Sequence, residues 1–330
     1  MRQATKQFKK ELELPNFNYQ GGKMPQIKVL GVGGSGSNTI SRIFSSDVLG
    51  VDLIALNTDV QSLKSCRAPK KLLIGKIITK GLGAGMDPSL GMAAAEESKG
   101  EILEVLKGSD MVFVTSGFGG GSGSGASPVI AELSKSLGIL TIAVVTTPFS
   151  FEGEQRVQIA KKAIENLKDK VDSLLIIRND NLLKVIDEKT TVSNAFKVCD
   201  DILKQAVKGI TDLILAPGII NIDFASVVYI MKNSQQALFG TGKAIGKNRA
   251  IDAAKKAINS PLLDFSIKGS EGILFNVSGN DTTLNEIKAI GKFITENVSP
   301  KAKIIFGAVK DNSLKRGEIK VTVIATRNFS

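Results

Sequence analysis

The sequence predicts an α/β protein: a doubly wound, parallel-sheet nucleotide-binding domain, a long central helix, and a smaller α/β C-terminal domain. Three observations carry this. Continuous apolar runs alternate with helically periodic ones through the first half of the chain, as strands covered on both faces alternate with helices. Glycine clusters interrupt that half at Gly31–Gly36, Gly81–Gly85 and Gly117–Gly125, and the ligands of such sheets bind beyond the carboxyl ends of the strands. A long amphipathic stretch, Ser193 to Leu215, then leads to a half that has strands but no glycine-rich turns after them.

In chain order, "IKVLGVG" (Ile27 to Gly33) reads as a buried strand and "SNTISRIF" as the helix after it. "VDLIALN" (Val51 to Asn57) and "KLLIG" are the second and third strands. Pro88 to Leu106 has helical periodicity with Pro near its start. "DMVFVTSG", "LTIAVVTTP" and "VDSLLIIRN" are further buried strands. In the central helix Phe196, Leu203, Val207, Ile210 and Ile214 recur at helical spacing, and Pro217-Gly218 stops it. Beyond lie a helix, "NRAIDAAKKAI", and three strands, "GILFNVSG", "KIIFGAV" and "EIKVTVIAT". The expected domains are a basic extension over 1–26, a nucleotide domain over 27–190, the central helix over 191–216 and the C-terminal domain over 217–330.

Composition narrows the chemistry. The absence of histidine removes the commonest general base and metal ligand, so a histidine-based mechanism is excluded. Two cysteines, Cys66 and Cys199, cannot form a multi-bridge framework and read as reduced thiols of a cytoplasmic protein. No apolar run reaches the roughly 18 to 20 residues that span a bilayer. The net charge of +11 invites a nucleic-acid reading, but the lysines are scattered, Trp is absent and only two Tyr occur. No stacking platform is interleaved with the basic residues, so no nucleic-acid partner is expected.

The first glycine turn, Gly31-x-Gly33-x-x-Gly36, formally satisfies the dinucleotide fingerprint. A nicotinamide enzyme would place an acid at the end of the second strand to hold the ribose, whereas this chain has Asn57-Thr58. A Walker P-loop is absent too, since no Lys follows the glycines. Three glycine turns at one sheet edge, two of them at helix N-termini, instead form an anion cradle of backbone N–H groups that needs no lysine.

The cluster "GGGSGSG" resembles the tubulin-superfamily signature GGGTGTG with Ser for both Thr, a mild change because both hydroxyls can donate to phosphate. With "KGLGAG", "SDMVFVTSG", "TTPFSFEGEQR", "RNDNLLKV", "APGIINIDFA" and "SPLL" in the same order, the chain resembles the FtsZ family of prokaryotic cell-division GTPases from Ile27 to about Thr326. The resemblance implies a tubulin/FtsZ-like fold that binds GTP or GDP, with Mg2+ accompanying the nucleotide and no dedicated protein metal site. By the same resemblance Gly33, Gly34, Ser35, Gly36, Ser37 and Asn38 hold the α- and β-phosphates. Gly120, Gly121, Ser122, Gly123 and Ser124 approach from the other side, and Gly83, Ala84 and Gly85 sense the γ-phosphate. Glu152 and Arg156 match ribose and base-edge contacts, whose plainer reading is a solvated helix start. Asn179 and Asp200 match the guanine-edge residues. A carboxylate at Asp200 can accept both N1–H and the exocyclic amine of guanine, a paired donor edge that adenine lacks.

In the family the site is completed by a neighbouring subunit, whose loop with the pattern N-x-D-x-x-D positions the attacking water. Here the loop reads Asn221, Asp223, then Ser226, so the second acid is missing. Asn221 and Asp223 are the expected catalytic residues, and Asp223 has the simpler alternative of capping the next helix. The expected partners are copies of the same chain in a head-to-tail homopolymer, or a second FtsZ-like subunit, at the division site in the cytoplasm. A GTP-binding filament component with little hydrolysis is the alternative. The sequence stops at Ser330 before any counterpart of the family's usual linker and tail, which leaves two expectations open: a shortened chain, or membrane-tethering division proteins that dock other than by that tail.

Overall fold

A computed structural model describes residues 24–46, 50–183, 187, 189–215, 218–260 and 266–327. The basic extension up to residue 23, the Pro217 stop, and parts of the "RNDNLLKV" and "SPLL" motifs lie outside the described residues.

The first half builds β1 (Ile27–Val32), α1 (Gly33–Phe44), β2 (Val51–Asn57), α2 (Val60–Ser65), β3 (Lys70–Leu73), α3 (Pro88–Glu97), α4 (Lys99–Leu106), β4 (Met111–Gly117), α5 (Gly121–Ser136), β5 (Leu140–Thr147), α6 (Glu154–Leu167), β6 (Ser173–Arg178) and the short α7 (Asn179–Leu182). All these strands pair in parallel in the order β3-β2-β1-β4-β5-β6. Strand order therefore reverses between β1 and β4, and a crevice opens at the carboxyl ends of that pair.

The second half follows the central helix α8 (Val192–Leu215) with α9 (Phe224–Met231), β7 (Gln235–Ile245), α10 (Arg249–Ile258), β8 (Gly272–Gly279), α11 (Leu284–Thr295), β9 (Lys303–Lys310) and β10 (Glu318–Arg327). β7 pairs in parallel with β6 through Ser173–Leu175, so one ten-stranded sheet, ending β6-β7-β10-β8-β9, runs through both halves. α8 is the common support. Its buried residues, among them Leu203, Ala206, Val207 and Ile210, share one core with Val29 and Phe113 of the first half and Phe239 and Ile324 of the second.

Several details depart from the expected elements, among them α9 and α11, which stand in the second half beside the one helix expected there. The span from Pro88 to Leu106 is two helices, because the Ser98 backbone leaves helical geometry and its hydroxyl accepts the Gly75 N–H at 2.9 Å. In two of the three glycine clusters the glycines extend into the helices, Gly33–Gly36 and Gly121–Gly125 forming the first turns of α1 and α5, while Gly81–Gly85 stays a loop. Strand β7 adds a fourth strand to the second half. Its Gly240 and Gly242 disguise it, and a Cβ at Gly242 would stand 2.2 Å from the Ala253 carbonyl oxygen, so the glycine marks where α10 lies directly on the strand.

Candidate functional site: a phosphate cradle with a base pocket

Helices α1 and α5 both start at the carboxyl end of the sheet. Their N-cap positions, Val32 and Gly120, provide no side-chain cap. By contrast Asp59, Asp87, Asp223 and Thr283 cap α2, α3, α9 and α11. The first turn of a helix has N–H groups without intrahelical partners and a positive dipole end, so two such ends meeting uncapped provide anion-binding groups. Close approach requires glycine. Gly33 has φ +74°, and a Cβ there would lie 3.0 Å from the Gly123 backbone nitrogen. A Cβ at Gly121 would stand 2.8 Å from both Cβ and carbonyl oxygen of Ala84, which brings the third cluster, Gly83 to Gly85, against the second.

A cavity of about 230 Å³ runs from this cradle towards α8. Gly34, Ser35, Gly120, Gly121, Ser122, Gly123, Glu152, Arg156, Asn179 and Asp200, all expected from the sequence, line it. Gly33, Gly36, Ser37, Asn38, Gly83, Ala84, Gly85 and Ser124 do not line it. Gly33 and Ala84 abut the lining glycines, and Gly36 packs against the Thr115 carbonyl as the inner wall of α1. Ser37 and Ser124 are buried. The Ser122 hydroxyl shares a 2.6 Å hydrogen bond with Thr58, and Ser124 Oγ accepts the Gly119 N–H at 3.0 Å while keeping its own proton to donate. Asn57 spends its side-chain oxygen on the Thr58 and Asp59 N–H groups, and Asp59 caps α2. The ribose-binding acid of a nicotinamide site has no counterpart there.

The far end of the cavity is polar. Asn179, 4% exposed, has its side-chain oxygen buried without a hydrogen-bond partner. Buried polar atoms are normally satisfied, and of those left without a partner this one belongs to a residue that lines the cavity, where water or a ligand group can meet it. Burial pushes the Asp200 carboxyl up to about 6, against the pull of Arg42, whose Nε lies 3.2 Å from Asp200 Oδ2. Cys199 beside it is pushed up to about 12 by burial and by the Asp200 charge, so it is a neutral thiol. Glu152 accepts the Phe149 N–H at 2.9 Å and pairs with Arg156 at 3.3 Å, spanning the pocket's outer wall.

Phe118, Thr146 and Pro148 also line the cavity without having been expected from the sequence, and two further unexpected groups shape its far end. Phe196, read in the sequence as a core position of the central helix, is 38% exposed and lines the cavity one turn before Asp200. Arg42 reaches Asp200 across 158 residues of sequence, a pairing no local pattern reveals.

The expected catalytic loop lies elsewhere. Asp223 starts α9, whose Phe224 and Val228 line a cavity of about 570 Å³ together with Asp110, Leu140 and Asp172. These last residues stand at the amino-terminal ends of β4, β5 and β6. A seven-residue strand such as β4 separates the two ends by about 20 Å at ~3.3 Å per residue. The larger cavity therefore belongs to the pole opposite the glycine cradle. The loop is well anchored there. Ile219 and Ile220 donate N–H groups to the Ala308 carbonyl of β9 at 2.7 and 3.1 Å, and Asn221 Oδ1 accepts the Gly218 N–H at 2.6 Å. Asp223 Oδ1 accepts the Ser226 N–H at 2.6 Å. Hydrogen bonds from Ser226, side chain and backbone, hold the Asp223 carboxyl below its ordinary range. The helix-capping reading of Asp223 thus describes its local contacts.

Fold and cradle together define a tubulin-like GTP-binding protein. Residues 26–187 match the GTPase domain of the Tubulin/FtsZ family, and residues 235–328 match the C-terminal domain of the FtsZ family. The chain is 48% identical over 301 residues to cell division protein FtsZ 1 of Pyrococcus horikoshii, covering 91% of this chain and 80% of that one. Its structure is similar to an empty FtsZ dimer from M. jannaschii, with a TM-score of 0.88 and 42% identity over 98% of this chain and 92% of that chain. CetZ2 from Haloferax volcanii, in a GTPgS-bound protofilament, shares the fold at 21% identity with a TM-score of 0.78, over 91% of this chain and 92% of that one. The chain belongs to the FtsZ family of cell-division GTPases.

Proposed function

We propose that this chain binds GTP in the cradle of α1 and α5 and polymerises head to tail, with the nucleotide of one subunit completed by the 221–226 loop of the next. The observation that carries this reading is the placement of two uncapped helix N-termini at one pole and the Asn221/Asp223 loop at the other. Phosphates take the N–H groups of both first turns, with Gly83 to Gly85 beside the terminal phosphate. The base lies against Phe196, its donor edge towards Asp200 and a polar edge at Asn179. Among the described residues no group of three or more Cys, Asp or Glu could hold a metal ion. Mg2+ would be held chiefly by the phosphates and water, where it neutralises charge developing during phosphoryl transfer. Asp223, ionised and exposed, orients the attacking water at the neighbour's terminal phosphate, a role worth roughly 10²–10⁴ in rate.

A second reading, a GTP-binding filament with little hydrolysis, is favoured by Asp223 serving as a helix cap and by Ser226 standing where the pattern has its second acid. Phosphate release measured against protein concentration tests the proposal. Activity per subunit should rise with concentration and collapse below a threshold. A rate per subunit constant over about a hundredfold range contradicts shared-site hydrolysis. No detectable release from filaments that bind GTP establishes the second reading.

A further inference from the structure

We propose that Arg42 is a positioning residue that sets guanine specificity, by fixing the plane of the Asp200 carboxylate from behind the base pocket. The inference rests on the reading that Asp200 faces the donor edge of the base.

Arg42 stands in the last turn of α1, the helix whose first turn forms one wall of the phosphate cradle. Nine residues separate Gly33 from Arg42, or about 14 Å of helix at ~1.5 Å per residue. One rigid element therefore reaches both ends of the cavity. At the base end its Nε holds Asp200 Oδ2 at 3.2 Å, and Nη1 lies 3.8 Å from Asp201 Oδ1. Arg42 takes up only one of the two Asp200 oxygens, so Oδ1 and the remaining lone pair of Oδ2 are left for a ligand. Guanine presents two parallel donors, and both reach acceptors only if the carboxylate lies in the plane of the base. A planar guanidinium anchored at a second acid resists rotation of that carboxylate in a way a point charge does not.

Arg42 also keeps the acceptor ionised. Burial and the neighbouring Asp201 both disfavour the Asp200 charge, and Arg42 opposes them. The other charged groups at this end are Lys204, which is paired to Asp201 at 3.0 Å, and Glu152 and Arg156, paired across the pocket. Cys199 is uncharged. Arg42 is the cation that contacts Asp200, and without it more of the carboxyl is protonated near neutrality and loses an acceptor.

The test uses the full chain below its assembly concentration. Affinities for GDP, IDP and xanthosine diphosphate are measured by competition with a fluorescent GDP analogue from pH 5.5 to 8.5. IDP lacks the exocyclic amine, so the GDP/IDP ratio reports two-point contact by Asp200. In the wild type this ratio is expected to be about tenfold or more, the value of one charge-assisted hydrogen bond. Arg42→Gln should reduce it to about threefold or less and move the acid loss of GDP affinity to higher pH. Arg42→Lys should restore the pH profile but only part of the ratio. Asp200→Asn offers one acceptor and one donor, and should weaken GDP about tenfold while favouring xanthosine diphosphate. If Asp200→Asn moves neither nucleotide, the base reading itself is wrong. If it switches preference while Arg42→Gln keeps the wild-type ratio and pH profile, the base reading stands and the role of Arg42 is overturned.

Discussion

Asp200 is held in the folded protein against its own preference. Its carboxyl titrates near 6 instead of at the ordinary carboxylate value, so ionisation near neutrality costs stability. The sign follows from linkage: a raised folded pKa contributes stability below the unfolded value near 4, and that contribution is lost as pH rises through about 6. Asp200→Asn should therefore raise the stability of the nucleotide-free protein at pH 7.5 by roughly 1–3 kcal/mol, a net figure that already includes the opposing pull of Arg42, and the gain should vanish near pH 4. Thermal denaturation at both pH values checks this. An equal effect at both would place the cause in packing instead of charge. Asp223 is the opposite case, exposed and held ionised by Ser226. Ser226→Asp restores the N-x-D-x-x-D pattern and should raise GTP turnover at least about tenfold, whereas Asp223→Ala should lower it by about 10²–10⁴ and leave GTP affinity of the isolated subunit unchanged. Steady-state phosphate release with nucleotide binding separates these outcomes. Loss of monomer affinity in Asp223→Ala would mean that the loop serves its own subunit's nucleotide.

At the level of elements, the cradle depends on backbone approach that side chains would block. A Cβ at Gly36 would stand 2.6 Å from the Thr115 carbonyl oxygen and 2.7 Å from the Gly31 carbonyl carbon. Gly36→Ala must push α1 away from β4, and is expected to cost roughly 1–3 kcal/mol together with most GTP affinity. Chemical denaturation and nucleotide titration of the same variant test both parts, and unchanged affinity would show that the seating of α1 on β1 and β4 is not critical. In the second half Arg249, starting α10, pairs with Glu286 of α11 at 2.6 Å and with Asp281 at 2.7 Å. Hydrogen bonds from Arg249 hold Glu286 below the ordinary range, so its contribution is present at neutral pH and lost as pH falls below about 4. Arg249→Met should destabilise by roughly 1–3 kcal/mol, and the difference from wild type should shrink in acid. What was legible in the sequence follows the same division. The glycine clusters were readable because tight backbone contact leaves a local compositional mark. The split at Ser98 was not, since one non-helical residue hardly disturbs a 3.6-residue period. Strand β7 was missed because glycines that admit α10 look like turn residues. Arg42 was missed because its partner is fixed by how α1 lies against α8, and Phe196 because an apolar helical position reads as core whether it meets protein or a ligand.

Across the whole molecule, one sheet and one central helix join a nucleotide pole to a loop pole, and no single subunit brings the two together. The pocket is shaped by β1, β4, β5 and β6 at their carboxyl ends, while the loop is tied to β9 and α9 at the other end. Under the proposed function, a heterologous contact between the two poles that does not close into a ring would generate a filament and make each active site the property of two chains. The most direct measurement mixes two variants that are inactive for different reasons: Asp200→Ala, which keeps the loop and loses the pocket, and Asp223→Ala, which keeps the pocket and loses the loop. Under the shared-site account, GTP hydrolysis by an equimolar mixture should rise well above that of either variant alone, towards about a quarter of the wild-type rate, because about one contact in four joins an intact pocket to an intact loop. A mixture no more active than the mean of its two components, at concentrations where wild-type filaments form, would contradict the account.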